Sequence, residues 1–258
     1  MKVHHLNCGS MNMPGALLVC HVLLIESADR LILVDTGFGL ADTAHPWRRI
    51  GPYHKVIRPA LREEETAVRQ VQRLGFNPRD VRDIVLTHGD SDHAGGLSDL
   101  PWATVHVSTT EEYAITQRPT WFERQRYNSH QWAHRPHLVG HAPRGERWRG
   151  FTGLTPLDDL APGLFLIPLP GHSRGHAAVA VDTGSRWVLH AGDSFYHPGT
   201  LTGKERPPVA LRLQEAAFAQ DRAALRENQR RLGSLMGDPS ILLVNAHDPG
   251  LLRAALAA

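Results

Sequence analysis

The chain has 258 residues, of which 41% are hydrophobic and 21% charged, with 28 basic and 26 acidic residues and a net charge of +2. This composition is that of a soluble globular protein, and the balanced charge excludes the basic footprint expected for binding nucleic acid or a membrane surface. Cys8 and Cys20 are the only cysteines. They form no Cys-x-x-Cys pair and imply no disulfide framework. No run is apolar enough to span a bilayer, and the first residues lack the apolar core of a secretory signal, so a cytoplasmic protein is expected.

Taken in order, residues 16–26 form a nearly continuous apolar strand, 27–30 a turn and 31–34 a return strand, a hairpin buried on both faces. Residues 40–60 carry prolines, glycine and aromatics without period and read as a loop. Residues 63–74 have helical spacing, with Glu63, Glu64 and Glu65 favourably placed at the positive end of the helix dipole. Residues 81–86 read as a buried strand and 103–107 as the next one, followed by a short helix capped by Ser108 or Thr110. Residues 117–150 hold three tryptophans and many arginines with no clear period. They form an excursion that covers a cleft, makes a subunit contact in a homodimer, or packs irregularly on the surface. Strands follow at 164–169, 177–181, 186–190 and 241–244, with a long helix over 211–232. Periodicity by itself supports one domain, residues 1–258, of α/β or α+β class.

The chemistry concentrates in Thr87-His88-Gly89-Asp90-Ser91-Asp92-His93. Four ligand-type side chains lie within six residues, on a loop that directly follows a buried strand. Imidazole and carboxylate are good ligands for first-row metals, and such ligands must converge on one point.

This stretch resembles the His-x-His-x-Asp-His signature of the metallo-β-lactamase superfamily. Further matching elements follow in that family's order: Asp35-Thr36-Gly37, Gly171-His172-Ser173-Arg174-Gly175-His176, Gly192-Asp193 and Asn245-Ala246-His247. The resemblance spans residues 31–248 and departs at Asp90, where the family usually has histidine. It implies a four-layer αβ/βα sandwich with the site along the edge where two sheets meet. It also implies two divalent metal ions, one held by His88, Asp90 and His172, the other by Asp92, His93 and His247, with Asp193 bridging them. Asp35 would support the ligand loop, or merely close its strand as an Asx turn. His176 would be structural, donating to a carbonyl. Zinc is the expected metal. The extra carboxylate at Asp90 makes the site richer in oxygen and admits manganese or iron.

Two dications about 3.5–4 Å apart share a water and lower its pKa. The expected function is therefore a metal-dependent hydrolase in which a metal-bridging hydroxide opens a lactone or cleaves an ester of a small molecule, with Asp92 and Tyr196 as the catalytic candidates. Tyr196 stands three residues after Asp193, an offset shared with lactonases of the superfamily, where the hydroxyl can meet a substrate carbonyl. It could equally be a packing tyrosine. Trp121 and Trp132 are the expected cleft wall. The alternatives are a glyoxalase II-like thioesterase, a phosphodiesterase, and a non-catalytic metal-binding sensor.

Overall fold

The computed structural model describes residues 1–28 and 30–258. Asp29, within the expected 27–30 turn, lies outside the described residues. Among the described residues, twelve strands make two six-stranded sheets. The first runs in sequence order: β1 (Lys2–Met13), β2 (Ala16–Glu26), β3 (Leu31–Val34), β4 (Val81–Val85), β5 (Thr104–Ser108) and β6 (His137–His141). Its first three strands pair antiparallel and the rest parallel. The second sheet contains β7 (Glu146–Trp148), β8 (Phe151–Pro156), β9 (Leu164–Pro168), β10 (Ala177–Asp182), β11 (Trp187–His190) and β12 (Ile241–Val244). Only its β11–β12 pair is parallel.

The buried hairpin explains the layering. Along β2, Leu23 and Ile25 point one way and pack with Val179, Val181, Leu166 and Val244 of the second sheet. Their neighbours Val22 and Leu24 point the other way, against Ala67, Val71 and Leu97 of the helical layer. On the far side, Ala178, Ala180 and Leu189 pack with Leu232. Both sheets are thus covered on both faces, which is why central strands such as β2 and β3, and β12 of the second sheet, read as nearly continuous apolar runs. The result is the four-layer αβ/βα sandwich expected from the resemblance.

Several boundaries differ from the sequence reading. Residues 40–60 contain the short helices Leu40–Ala44, Pro46–Arg49 and His54–Ile57. The long helix expected over 211–232 is two, Val209–Phe218 and Arg222–Gly233, because Asp221 caps the second by accepting from the Ala223 and Ala224 amides. Residues 117–150 are not irregular throughout. They hold the helix Trp121–Arg126, opened by a Thr120/Glu123 capping box, then β6 and β7, and so carry the chain from one sheet to the other. Ser108 caps the helix Thr109–Gln117 by accepting from the Glu111 amide.

The layout brings the loops that carry the candidate ligands to one end. β3, β4, β9, β11 and β12 deliver Asp35, His88, His172, Asp193 and His247 respectively. Backbone bonds stitch the sheets there: His21 N to Ala246 O (2.8 Å), Val19 N to His247 O (3.2 Å) and Ala177 N to Thr87 O (2.9 Å).

Candidate metal centre

Two clusters of ligand atoms face each other across Asp193. His88, His172 and Asp193 converge on one side, and Asp92, His93 and His247 on the other, each set lying within 4.8 Å. Asp193 Oδ1 is 3.2 Å from His93 Nε2 and 3.0 Å from His247 Nε2. Its Oδ2 is 3.4 Å from His172 Nε2 and 4.0 Å from His88 Nε2. Asp92 approaches His247 Nε2 at 3.5 Å. One carboxylate therefore presents an oxygen to each half.

The far nitrogens of His93 and His247 are used for orientation, whereas His172 Nδ1 is buried without a hydrogen-bond partner among the described residues. Asp35 Oδ1 accepts from the Thr87 amide, while its Oδ2 accepts from the Thr87 hydroxyl and lies 2.8 Å from His93 Nδ1. His247 Nδ1 bonds Val19 O at 2.8 Å. His176 donates from Nδ1 to Leu169 O at 3.1 Å and accepts the Asp193 amide on Nε2 at 2.9 Å, which makes it a brace for Asp193. Such partners fix ring orientation and tautomer. Gly192, which precedes Asp193, has φ +51, and a Cβ there would meet His176 Nε2 at 2.5 Å, so this turn requires glycine.

Glu111 ties the two ligand loops together and left no mark in the sequence. Fully buried, it accepts from the Gly89 amide (3.0 Å) and Tyr127 hydroxyl (2.8 Å) on one oxygen, and from the Ser173 hydroxyl (2.8 Å) and Gly175 amide (2.9 Å) on the other. Gly89 is glycine for packing: a Cβ there would press on Ile115 at 2.6 Å.

Asp90 is the exception among the candidate ligands. Its Oδ2 is 3.2 Å from both His88 Nε2 and His172 Nε2, but its carboxylate is gripped by Arg126, from Nε to Oδ1 at 2.6 Å and from Nη2 to Oδ2 at 2.7 Å. Burial works to raise the Asp90 pKa; the charges of Arg126 and His88 outweigh it and hold the carboxyl well below its usual range. Burial, then the charge of Arg126, pushes His172 down to about 3.

His88 Nε2, His93 Nε2 and Asp193 Oδ1 are buried without a hydrogen-bond partner among the described residues. Buried polar atoms are rarely left so, and these three point inward at the clusters. Imidazole nitrogens with carboxylate oxygens suit a divalent first-row cation. The residues present therefore fit a cation on each side of Asp193.

Residues 15–238 match the family model described as the metallo-beta-lactamase superfamily. The chain belongs to the metallo-β-lactamase superfamily. It is a metallo-hydrolase of that fold. A curated "probable metallo-hydrolase" of Mycobacterium tuberculosis is 52% identical over 257 residues, covering 99% of this chain and 83% of the relative. The N-acyl homoserine lactonase AiiA of Bacillus thuringiensis subsp. kurstaki is 29% identical over 196 residues, covering 74% of this chain and 71% of the lactonase. Among solved structures, an N-acyl homoserine lactone hydrolase with product at its catalytic metal centre superposes with a TM-score of 0.68 at 22% identity, covering 98% of this chain and 95% of that one.

Beside the two histidine and aspartate clusters lies a cavity of about 300 Å³. Asp90, Asp92, Asp193 and Tyr196 form its polar floor, and Tyr53, Trp121, Phe122 and Phe218 its apolar wall. Tyr196 is only 3% exposed, and its hydroxyl donates to Asp193 Oδ2 at 3.2 Å. Trp121 reaches this cavity. Trp132, expected beside it, does not: it packs against Ala114, Ile115 and Tyr127. The helix Trp121–Arg126 is what the 117–150 excursion contributes to the cleft. Arg126 and Glu111 were missed as site residues, the first because it sits among many arginines, the second because one glutamate in a helix's first turn looks like a dipole residue. Both cysteines are buried free thiols. Among the described residues, no helix is long and apolar enough to cross a membrane.

Proposed function

We propose that this chain hydrolyses a lactone, or a comparable ester, of a small molecule with an apolar arm. The observation that carries this reading is the cavity: a carboxylate and phenol floor beside the two histidine clusters, with one aromatic wall. Homology to N-acyl homoserine lactonases over about three quarters of the chain supports it. Two divalent cations, zinc first and manganese or iron as alternatives, would bind at His88, Asp90, His172 and Asp193 and at Asp92, His93, His247 and Asp193. When bound, they supply a water of lowered pKa and polarise a carbonyl.

The protein's own groups do the rest. Burial raises the Tyr196 pKa well above its usual value, so the phenol keeps its proton and donates to an oxygen that gains charge. Asp92, on the cavity floor, is placed to take a proton and pass it to the leaving oxygen. Trp121, Phe122 and Phe218 hold the arm and keep water off the reacting carbon.

The test is a panel of metal-loaded enzyme against lactones of increasing acyl length, thioesters, phosphodiesters and β-lactams. The lactones should give the highest kcat/KM, with KM falling as the arm lengthens. A thioester or phosphodiester turned over more efficiently than every lactone would replace this reading.

A further inference from the structure

Asp90 stands where the family motif has histidine, and its carboxylate is already engaged. Arg126 bonds both of its oxygens, and the same Nη2 that reaches Asp90 Oδ2 lies 2.5 Å from His172 Nε2. Its Nη1 donates to His172 O at 2.7 Å and to Phe218 O at 3.1 Å. The side chain is 2% exposed. The other half of the centre has no such cation: among the described residues, Asp92 and Asp193 form ion pairs only with histidines.

We propose that Arg126 competes with a metal ion for the first half-site, so the two halves hold divalent cations with unequal affinity. The Asp92, His93 and His247 half binds tightly, and the His88, His172 and Asp90 half weakly. A neutral imidazole nitrogen has one lone pair. His172 Nε2 accepts an N–H or ligates a metal, not both. A cation arriving there must displace Nη2 from His172 and then sit beside a buried guanidinium, where like charges repel strongly. Arginine does not deprotonate, so only movement of the side chain opens the half-site. In return, the guanidinium offsets the extra negative charge that Asp90 brings, and it keeps positive charge on both sides of Asp193 when one metal is bound.

This inference rests on the metal reading above, and its test reads binding alone. The metal-depleted full-length chain is titrated calorimetrically with zinc and with manganese, and the manganese form is followed by electron paramagnetic resonance. The wild type should take one equivalent tightly and a second at least about tenfold more weakly, with a spin-coupled pair only in excess metal. Arg126→Gln should tighten the second equivalent about tenfold. Two equal sites in the wild type would overturn the proposal, and so would a folded Arg126→Gln that keeps the inequality. If Arg126→Gln does not fold, Arg126→Lys decides: losing the fork should narrow the gap, and an unchanged gap overturns the idea. No metal binding at all would instead sink the metal reading itself.

Discussion

His93 Nδ1 and Asp35 Oδ2 lie 2.8 Å apart, joining a candidate ligand in the loop after β4 to the residue that directly follows β3. Asp35 sits at φ +59, a left-handed conformation that aspartate and asparagine tolerate better than most residues. Asp35→Asn therefore keeps the backbone and shape but removes the carboxylate facing His93. Partners of this kind typically carry about 10–100-fold in metal affinity, so the tight metal equivalent should weaken by that order. Calorimetric metal titration checks it, and an unchanged affinity would leave Asp35 as a strand-closing turn.

Tyr196→Phe tests the phenol. Loss of one donor to a developing oxyanion costs about 10²–10³ in kcat; here at least the lower figure is expected, with metal content unchanged. If metal content drops with kcat, the hydroxyl matters for its bond to Asp193 rather than for substrate.

The two tryptophans should part company. Trp121→Ala should raise KM for long-armed substrates several-fold and leave the melting temperature alone, because Trp121 is exposed on the cavity wall. Trp132→Ala should lower the melting temperature and leave KM alone, because its ring packs against Ile115 and Tyr127. Steady-state kinetics beside thermal melts separates them.

How much was legible follows from which interactions are local. The strand-then-loop pattern around His88 is contained in one short window, and apolar continuity alone marks β2, β3 and β12. Trp132 could not be sorted from Trp121, since which tryptophan meets the cavity depends on the helix Trp121–Arg126 packing near Phe218, nearly a hundred residues on. The same distance hides Arg126: its grip on Asp90 spans 36 residues and its bond to Phe218 spans 92. β1 went unread because it lies at the sheet edge, where half-buried polar residues dilute the apolar signal. The break at Asp221 is local and readable as a helix cap. The continuing run of leucine and alanine masked it.

Glu123 offers a test on stability. Burial works to raise its pKa, but hydrogen bonds from Arg174, Thr120 and Gln220 outweigh that and hold it down to about 2. A depressed folded pKa means the stabilisation is complete above the unfolded value of about 4.3 and is lost as pH falls toward 2. Glu123→Gln should therefore be less stable than wild type at neutral pH, by about 1–2 kcal/mol for a charge-assisted network, and the gap should close in acid. Denaturant unfolding from pH 7 to pH 3 reads both; a gap that stays constant would contradict the assignment.

The histidine and aspartate clusters around Asp193 are proposed to hold the metal that hydrolysis of a lactone requires. The most direct measurement is lactone hydrolysis by one preparation before chelator dialysis, after it, and after reloading with zinc or manganese, with metal content determined at each stage. Turnover should vanish with the metal and return with it, and Asp193→Ala should neither retain metal nor recover. Lactone hydrolysis that persists at full rate once no metal can be detected would contradict the account.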